Sequence, residues 1–144
     1  VFIRRLLFLV CLCALPACGS SVLGSPTTTT TSTATYTQID LVVGTGATAT
    51  TGRTVTVNYG LWLYDSTQPD GKGTNIPQSP PTISFVLGAG QVIAGWDQGV
   101  PGMKVGGQRR LIIPPNLAYG STSPSPSIPA NASLVFDIAL TNVQ

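Results

Sequence analysis

Residues 36–144 predict an antiparallel α+β domain, and two patterns carry that expectation. Short segments of alternating apolar and polar residues recur between Gly- and Pro-rich breaks, as in strands joined by tight turns. Within them lies one short helical segment, stopped by Pro101-Gly102. In order, Val55, Val57 and Tyr59 alternate with Thr54, Thr56 and Asn58, the period of a half-buried strand. Ile83-Ser-Phe-Val-Leu87 is a second strand, closed by Gly88-Ala-Gly90. Val92 to Val100 reads as the helix. Arg109 to Ile113 follows the Gly106-Gly107 turn and ends at Pro114-Pro115. Leu134, Phe136, Ile138 and Leu140 alternate with less apolar neighbours and give a long last strand.

The segment before this domain has a different composition. Arg4 and Arg5 precede an apolar run from Leu6 to Leu15, which is too short to span a bilayer as a permanent helix. A basic start, a short apolar stretch and small residues near a cut describe a secretory signal over residues 1–17. Leu15-Pro-Ala-Cys18 resembles a bacterial lipobox, which makes Cys18 the expected lipidation site and the membrane contact a lipid anchor. The alternative is an ordinary signal cut nearby, with Cys18 incidental. Residues 18–35 are rich in Ser and Thr and lack the apolar residues for a core, so a tether is expected. Together these features place the domain in a bacterial cell envelope, on a periplasmic or extracytoplasmic face.

Composition excludes several chemistries. The chain has no His, its acids are five Asp with no Glu, and its three cysteines (Cys11, Cys13, Cys18) all precede the domain. A Ser-His-Asp or Cys-His catalyst and a His-based metal site are therefore ruled out, and no cofactor is expected. Arg53, Lys72, Lys104, Arg109 and Arg110 offset Asp40, Asp65, Asp70, Asp97 and Asp137, leaving no basic face for nucleic acid.

Three blocks carry the functional reading. They are Gln91-Val-Ile-Ala-Gly-Trp-Asp-Gln-Gly-Val-Pro-Gly-Met-Lys-Val-Gly-Gly107, Leu117-Ala-Tyr-Gly120, and Ile128-Pro-Ala-Asn-Ala-Ser-Leu-Val-Phe-Asp137. With the strand Val55 to Gly60 before them, their order and spacing resemble the FKBP-type peptidyl-prolyl isomerases, the macrolide-binding rotamases. The resemblance runs from about Tyr36 to Gln144. It implies an antiparallel half-barrel β-sheet wrapped around one short α-helix, acting as a monomer on proline-containing polypeptides during the folding of exported proteins. Rotation about X-Pro needs neither nucleophile nor metal, because an apolar pocket favours the twisted amide, whose carbonyl is less polar than the planar one. A chain with this composition can carry out that reaction.

The resemblance also assigns roles. Trp96, which alone reads as a core residue of the helix, becomes the pocket floor, with Gly95 clearing space beside it. Val92 and Ile93 fall at the helix start, where N–H groups lack intrahelical partners, and the Ile93 N–H would hold a substrate carbonyl. The Tyr119 hydroxyl would hold another. Tyr59, Phe136, Ile128 and Ile83 complete the wall. Gln91 stands where an acid is common and Ile83 where an aromatic is usual.

The main departure is Gly73 to Pro81. Relatives commonly carry Phe-Asp-Ser-Ser there, and Ile76-Pro77 take the first two places. Ile76 could supply apolar wall, whereas Pro77 cannot supply a carboxylate. Weakened macrolide binding is expected. A catalytically weak or inactive module that binds proline-containing segments stands as the alternative to an isomerase.

Overall fold

The computed structural model describes residues 33–144. The expected signal segment, Cys18 and most of the expected tether lie outside the described residues. Strands β1 (Thr37–Val42), β2 (Thr54–Tyr64), β3 (Lys72–Asn75), β4 (Thr82–Val86), β5 (Gln108–Ile113) and β6 (Leu134–Val143) form one sheet, with helix α1 (Ala94–Gly99) between β4 and β5. The strand order is β1-β5-β6-β2-β3, all neighbours are antiparallel, and β4 pairs with the first half of β2. This open antiparallel sheet with one short helix is the fold class the sequence predicts.

The long strands β2 and β6 form the centre, and their alternation decides which side chains are buried. Val55, Val57 and Leu61 of β2 meet Leu134, Phe136, Ile138 and Leu140 of β6 and Leu111 and Ile113 of β5 in one hydrophobic cluster. Trp96 and Val100 bring α1 into that cluster. The β2–β6 register shifts between Thr56 and Val57, which pair with Asn142 and Leu140 respectively. Beyond this bulge Leu61 stands opposite Phe136.

Helix α1 has six residues, too few to be stable alone. It is shorter than the expected Val92–Val100 span: Ile93 is its N-cap, with extended backbone (φ −59°, ψ 147°), and Val92 precedes it. Two glycines let it lie against β5. A Cβ on Gly95 would stand 2.6 Å from Ile113 Cγ2, and one on Gly99 would stand 2.6 Å from both Leu111 methyls. The space that Gly95 clears is filled by Ile113 of the sheet.

Three side chains hold the helix in place. Arg109 Nη1 donates to the carbonyls of Gly99 (2.7 Å) and Pro101 (3.2 Å), satisfying acceptors at the helix end, while its Nε pairs with Asp40 at 2.6 Å. The Tyr36 hydroxyl donates to Gly95 O at 2.9 Å. Asp97 accepts from the N–H groups of Gly88 (2.9 Å) and Gly90 (3.0 Å), fixing the turn that carries Gln91. Packing reaches back to Ala34, which is buried and donates its N–H to Ser133 Oγ at 3.0 Å.

Candidate active site

The middle of β2, the start of β6, Ile83 of β4, helix α1 with the turn before it, and the loops after β3 and β5 enclose a cavity of about 400 Å³. Trp96 lies at its floor, 4% exposed, with three aromatic rings around it. Tyr59 meets the indole edge-on at a centroid distance of 5.0 Å and an interplanar angle of 82°. Phe136 meets it edge-on as well, at 5.3 Å and 85°, and lies beside Tyr59 at 6.2 Å. Phe85 packs at 5.7 Å and 46° and supports the indole from the core. Edge-to-face pairs of this kind favour one orientation of each ring, so the floor is rigid. The buried Trp96 Nε1 has no hydrogen-bond partner among the described residues, so the floor is less well satisfied than an ordinary core.

Polar groups at the rim point to a ligand that carries amides. The Ile93 carbonyl accepts the first helical bonds from Trp96 (2.9 Å) and Asp97 (3.3 Å), while its N–H makes no backbone bond among the described residues. Tyr119 follows a 3-10 turn at Pro115–Leu117, and the Gly120 N–H closes that loop on Pro115 O at 2.8 Å. The residue is 38% exposed and lines the cavity. Burial raises the Tyr119 phenol above its ordinary value, and the nearby Tyr59 adds to this. Burial alone raises Tyr59. Both hydroxyls are therefore neutral donors and acceptors at physiological pH. Among the described residues, no side chain lining the cavity is charged.

The structure brings Tyr59, Val92, Ile93, Trp96, Tyr119 and Phe136 together around this cavity, with Ile83, Gln91 and Ile128 on its wall and lip. Gln91 also donates structure to its own turn, its Oε1 accepting from Val86 N–H at 2.9 Å. Ile76 is the exception. It is 6% exposed and packed in the hydrophobic cluster, and its N–H donates to Leu61 O at 2.8 Å. That bond extends β3 pairing by one residue and turns the side chain into the core, so Ile76 supports the wall from behind.

Two lining residues, Leu61 and Gln78, are absent from the sequence reading. The alternation of β2 could have given Leu61, two residues beyond Tyr59. No local signal marks Gln78, whose amide meets Tyr59 only in the folded chain. Among the described residues, no three His, Cys, Asp or Glu side chains are grouped to hold a metal ion.

Among the described residues, an uncharged cavity with an aromatic floor, a backbone N–H without a backbone partner and two neutral phenols suits an apolar ligand that carries amides. Comparison with known proteins gives this domain a family. The sequence model of the FKBP-type peptidyl-prolyl cis-trans isomerases matches residues 45–141, and the chain belongs to that family. An FK506-binding protein of Neisseria meningitidis serogroup C is 41% identical over 95 residues, covering 66% of this chain and 84% of that protein. An FK506-binding protein 4 of Aspergillus fumigatus is 44% identical over 96 residues, 67% of this chain, but this chain spans only 18% of that protein's length. Among solved structures, FkpA from Escherichia coli aligns with a TM-score of 0.59 at 37% identity, over 76% of this chain and 48% of that one.

Proposed function

We propose that this domain catalyses cis-trans isomerisation of X-Pro bonds in polypeptides, and the observation that carries the reading is the charge-free cavity over Trp96. Amide resonance sets a barrier of about 18–20 kcal/mol to rotation. Transfer of the X-Pro amide into an apolar cavity disfavours the planar, more polar form relative to the twisted one. The proline ring would lie on the Trp96 indole between Tyr59 and Phe136. The Ile93 N–H and the Tyr119 hydroxyl would hold flanking carbonyls and so fix one side of the bond while the other turns. Lowering the barrier by about 5 kcal/mol would accelerate rotation a few thousand-fold, without a covalent step.

The relatives named for FK506 support the same cavity as a macrolide site in this chain. The absence of a carboxylate at Pro77 favours weakened macrolide affinity, and it also favours the second reading, a module that binds proline segments with little turnover. Leu15-Pro-Ala-Cys18 supports a further element of the proposal: a monomeric domain held by a lipid on Cys18 at a bacterial envelope membrane, acting on exported chains.

A proline-peptide isomerisation assay on the full chain, with Trp96→Leu as control, tests the enzyme reading. A wild-type rate at least tenfold above the control is expected. Saturable peptide binding with equal background rates in both proteins would leave the binding module instead.

A further inference from the structure

We infer that Gln78 is a positioning residue that turns the Tyr59 hydroxyl into a neutral hydrogen-bond acceptor facing the ligand. The inference rests on the isomerase reading of the same cavity and adds the chemistry of one corner of it. Gln78 lies in the loop after β3, half-buried, with its side chain on the cavity lip. Its Nε2 donates to the Ile76 carbonyl at 3.0 Å, a bond that only the amino end of the amide can make. This orientation directs Oε1 at the Tyr59 hydroxyl, 3.2 Å away. A carbonyl oxygen has no proton to give, so the Tyr59 proton is committed to Gln78. The phenolic oxygen then has lone pairs left for a ligand and no proton to offer it.

The loop holds this arrangement from both ends. Ile76 is buried and its N–H is bonded to Leu61 on β2, two residues from Tyr59 on the same strand. The path from Leu61 through Ile76 and Gln78 to Tyr59 therefore closes on one rigid strand. The cavity now has two kinds of polar corner. The Ile93 N–H offers a donor, so a ligand carbonyl belongs there. The Tyr59 corner offers an acceptor, so it selects a ligand donor such as a substrate backbone N–H and repels a carbonyl. Because the device is an amide and not a carboxylate, it works without ionisation, and the preference is independent of pH below the tyrosine range.

The test uses the full chain and a neutral tetrapeptide with a central Leu-Pro bond, with affinity read from tryptophan fluorescence beside the isomerisation rate. Gln78→Leu and Tyr59→Phe should each weaken binding about fivefold, the worth of one neutral hydrogen bond. The double variant should be no weaker than either single variant, because the two side chains act as one unit. In Gln78→Glu, the carboxylic acid can donate to Ile76 O as the amide did, whereas the carboxylate is repelled by that carbonyl and loses the anchor that aims its oxygen at Tyr59. Its affinity should match wild type below about pH 4 and fall as the pH rises through the glutamate range near about 4.3, while wild type stays flat. Additive losses in the double variant, no loss in Gln78→Leu, or a flat profile in Gln78→Glu would each overturn the inference. Binding without turnover in wild type would sink the isomerase reading alone, since every affinity comparison still reports on Gln78.

Discussion

At the scale of single residues, the loop between β3 and β4 separates two roles that look alike in sequence. Ile76 is a core residue whose neighbours are the cavity's supports. Ile76→Ala should cost about 2–5 kcal/mol of stability, as removal of a buried aliphatic chain does, and leave the KM of the folded protein near wild type. Urea unfolding read beside peptide kinetics checks both halves, and a raised KM with unchanged stability would return Ile76 to the cavity wall. The aromatic floor was legible because Trp96, Tyr119 and Phe136 stand in recognisable blocks, where residue type and spacing carry the chemistry. Gln78 was not, because its partner Tyr59 is 19 residues away and the bond forms only once β3 has paired with β2. The sequence located the missing acid at Pro77, and the acceptor that contacts Tyr59 stands one residue later.

At the scale of elements, helix α1 shows how packing overrules local preference. Ala is the better helix former by about 1 kcal/mol, so Gly95→Ala ought to stabilise α1 if propensity governed it. A Cβ at that position would instead lie 2.6 Å from Ile113 Cγ2 and 2.7 Å from its Cδ1. Overpacking of this kind costs about 1–3 kcal/mol, and relief by shifting α1 would move Trp96, the next residue. Gly95→Ala is therefore expected to lower stability by about 1 kcal/mol or more and to reduce kcat/KM. Ile113→Ala in the same chain should recover part of the kinetic loss, even at the cost of its own cavity. Higher stability in Gly95→Ala, measured by chemical unfolding, would mean that the helix–sheet contact is soft. The strands legible in the sequence were those with alternation, β2 and β6, and the apolar runs bounded by Gly or Pro, β4 and β5. Strand β3, Lys72-Gly-Thr-Asn75, has neither, and it pairs with β2 only at Trp62–Asn75 and Tyr64–Lys72 across an irregularity. Its existence depends on the second half of β2, not on its own residues. The helix also starts later than the local pattern indicates: Ile93 has extended backbone and follows a turn whose Gly88 and Gly90 N–H groups are held by Asp97.

Across the whole molecule, the outer face of the sheet is closed by one charged cluster that spans three strands. Asp137 on β6 accepts from Arg110 Nε at 2.7 Å and Nη2 at 2.9 Å on β5, and from Lys72 Nζ at 2.5 Å on β3. Lys72 also lies 3.9 Å above the Trp62 ring, which itself covers Gly60. Burial would raise the Asp137 carboxyl, but the bonds from Arg110 and Lys72 outweigh it and hold the carboxyl below its ordinary value. A carboxyl depressed in the folded state contributes stability that is complete above its unfolded value, near about 3.9, and lost as pH falls through the folded one. The chain has no His and no Glu, so from Tyr36 onward no side-chain type ordinarily titrates between about pH 5 and 9. Thermal stability should therefore be flat across that range and decline below about pH 4. Asp137→Asn should lower Tm at neutral pH by leaving Arg110 and Lys72 without their shared carboxylate, at a cost of about 1–2 kcal/mol for a partly exposed cluster. The same variant should flatten the acid limb, because the group whose protonation drives it is gone. Melting curves of both proteins from about pH 2.5 to 9 decide the matter. An acid limb as steep in Asp137→Asn as in wild type would transfer the effect to Asp40 on the edge strand β1, whose carboxyl Arg109 also holds low.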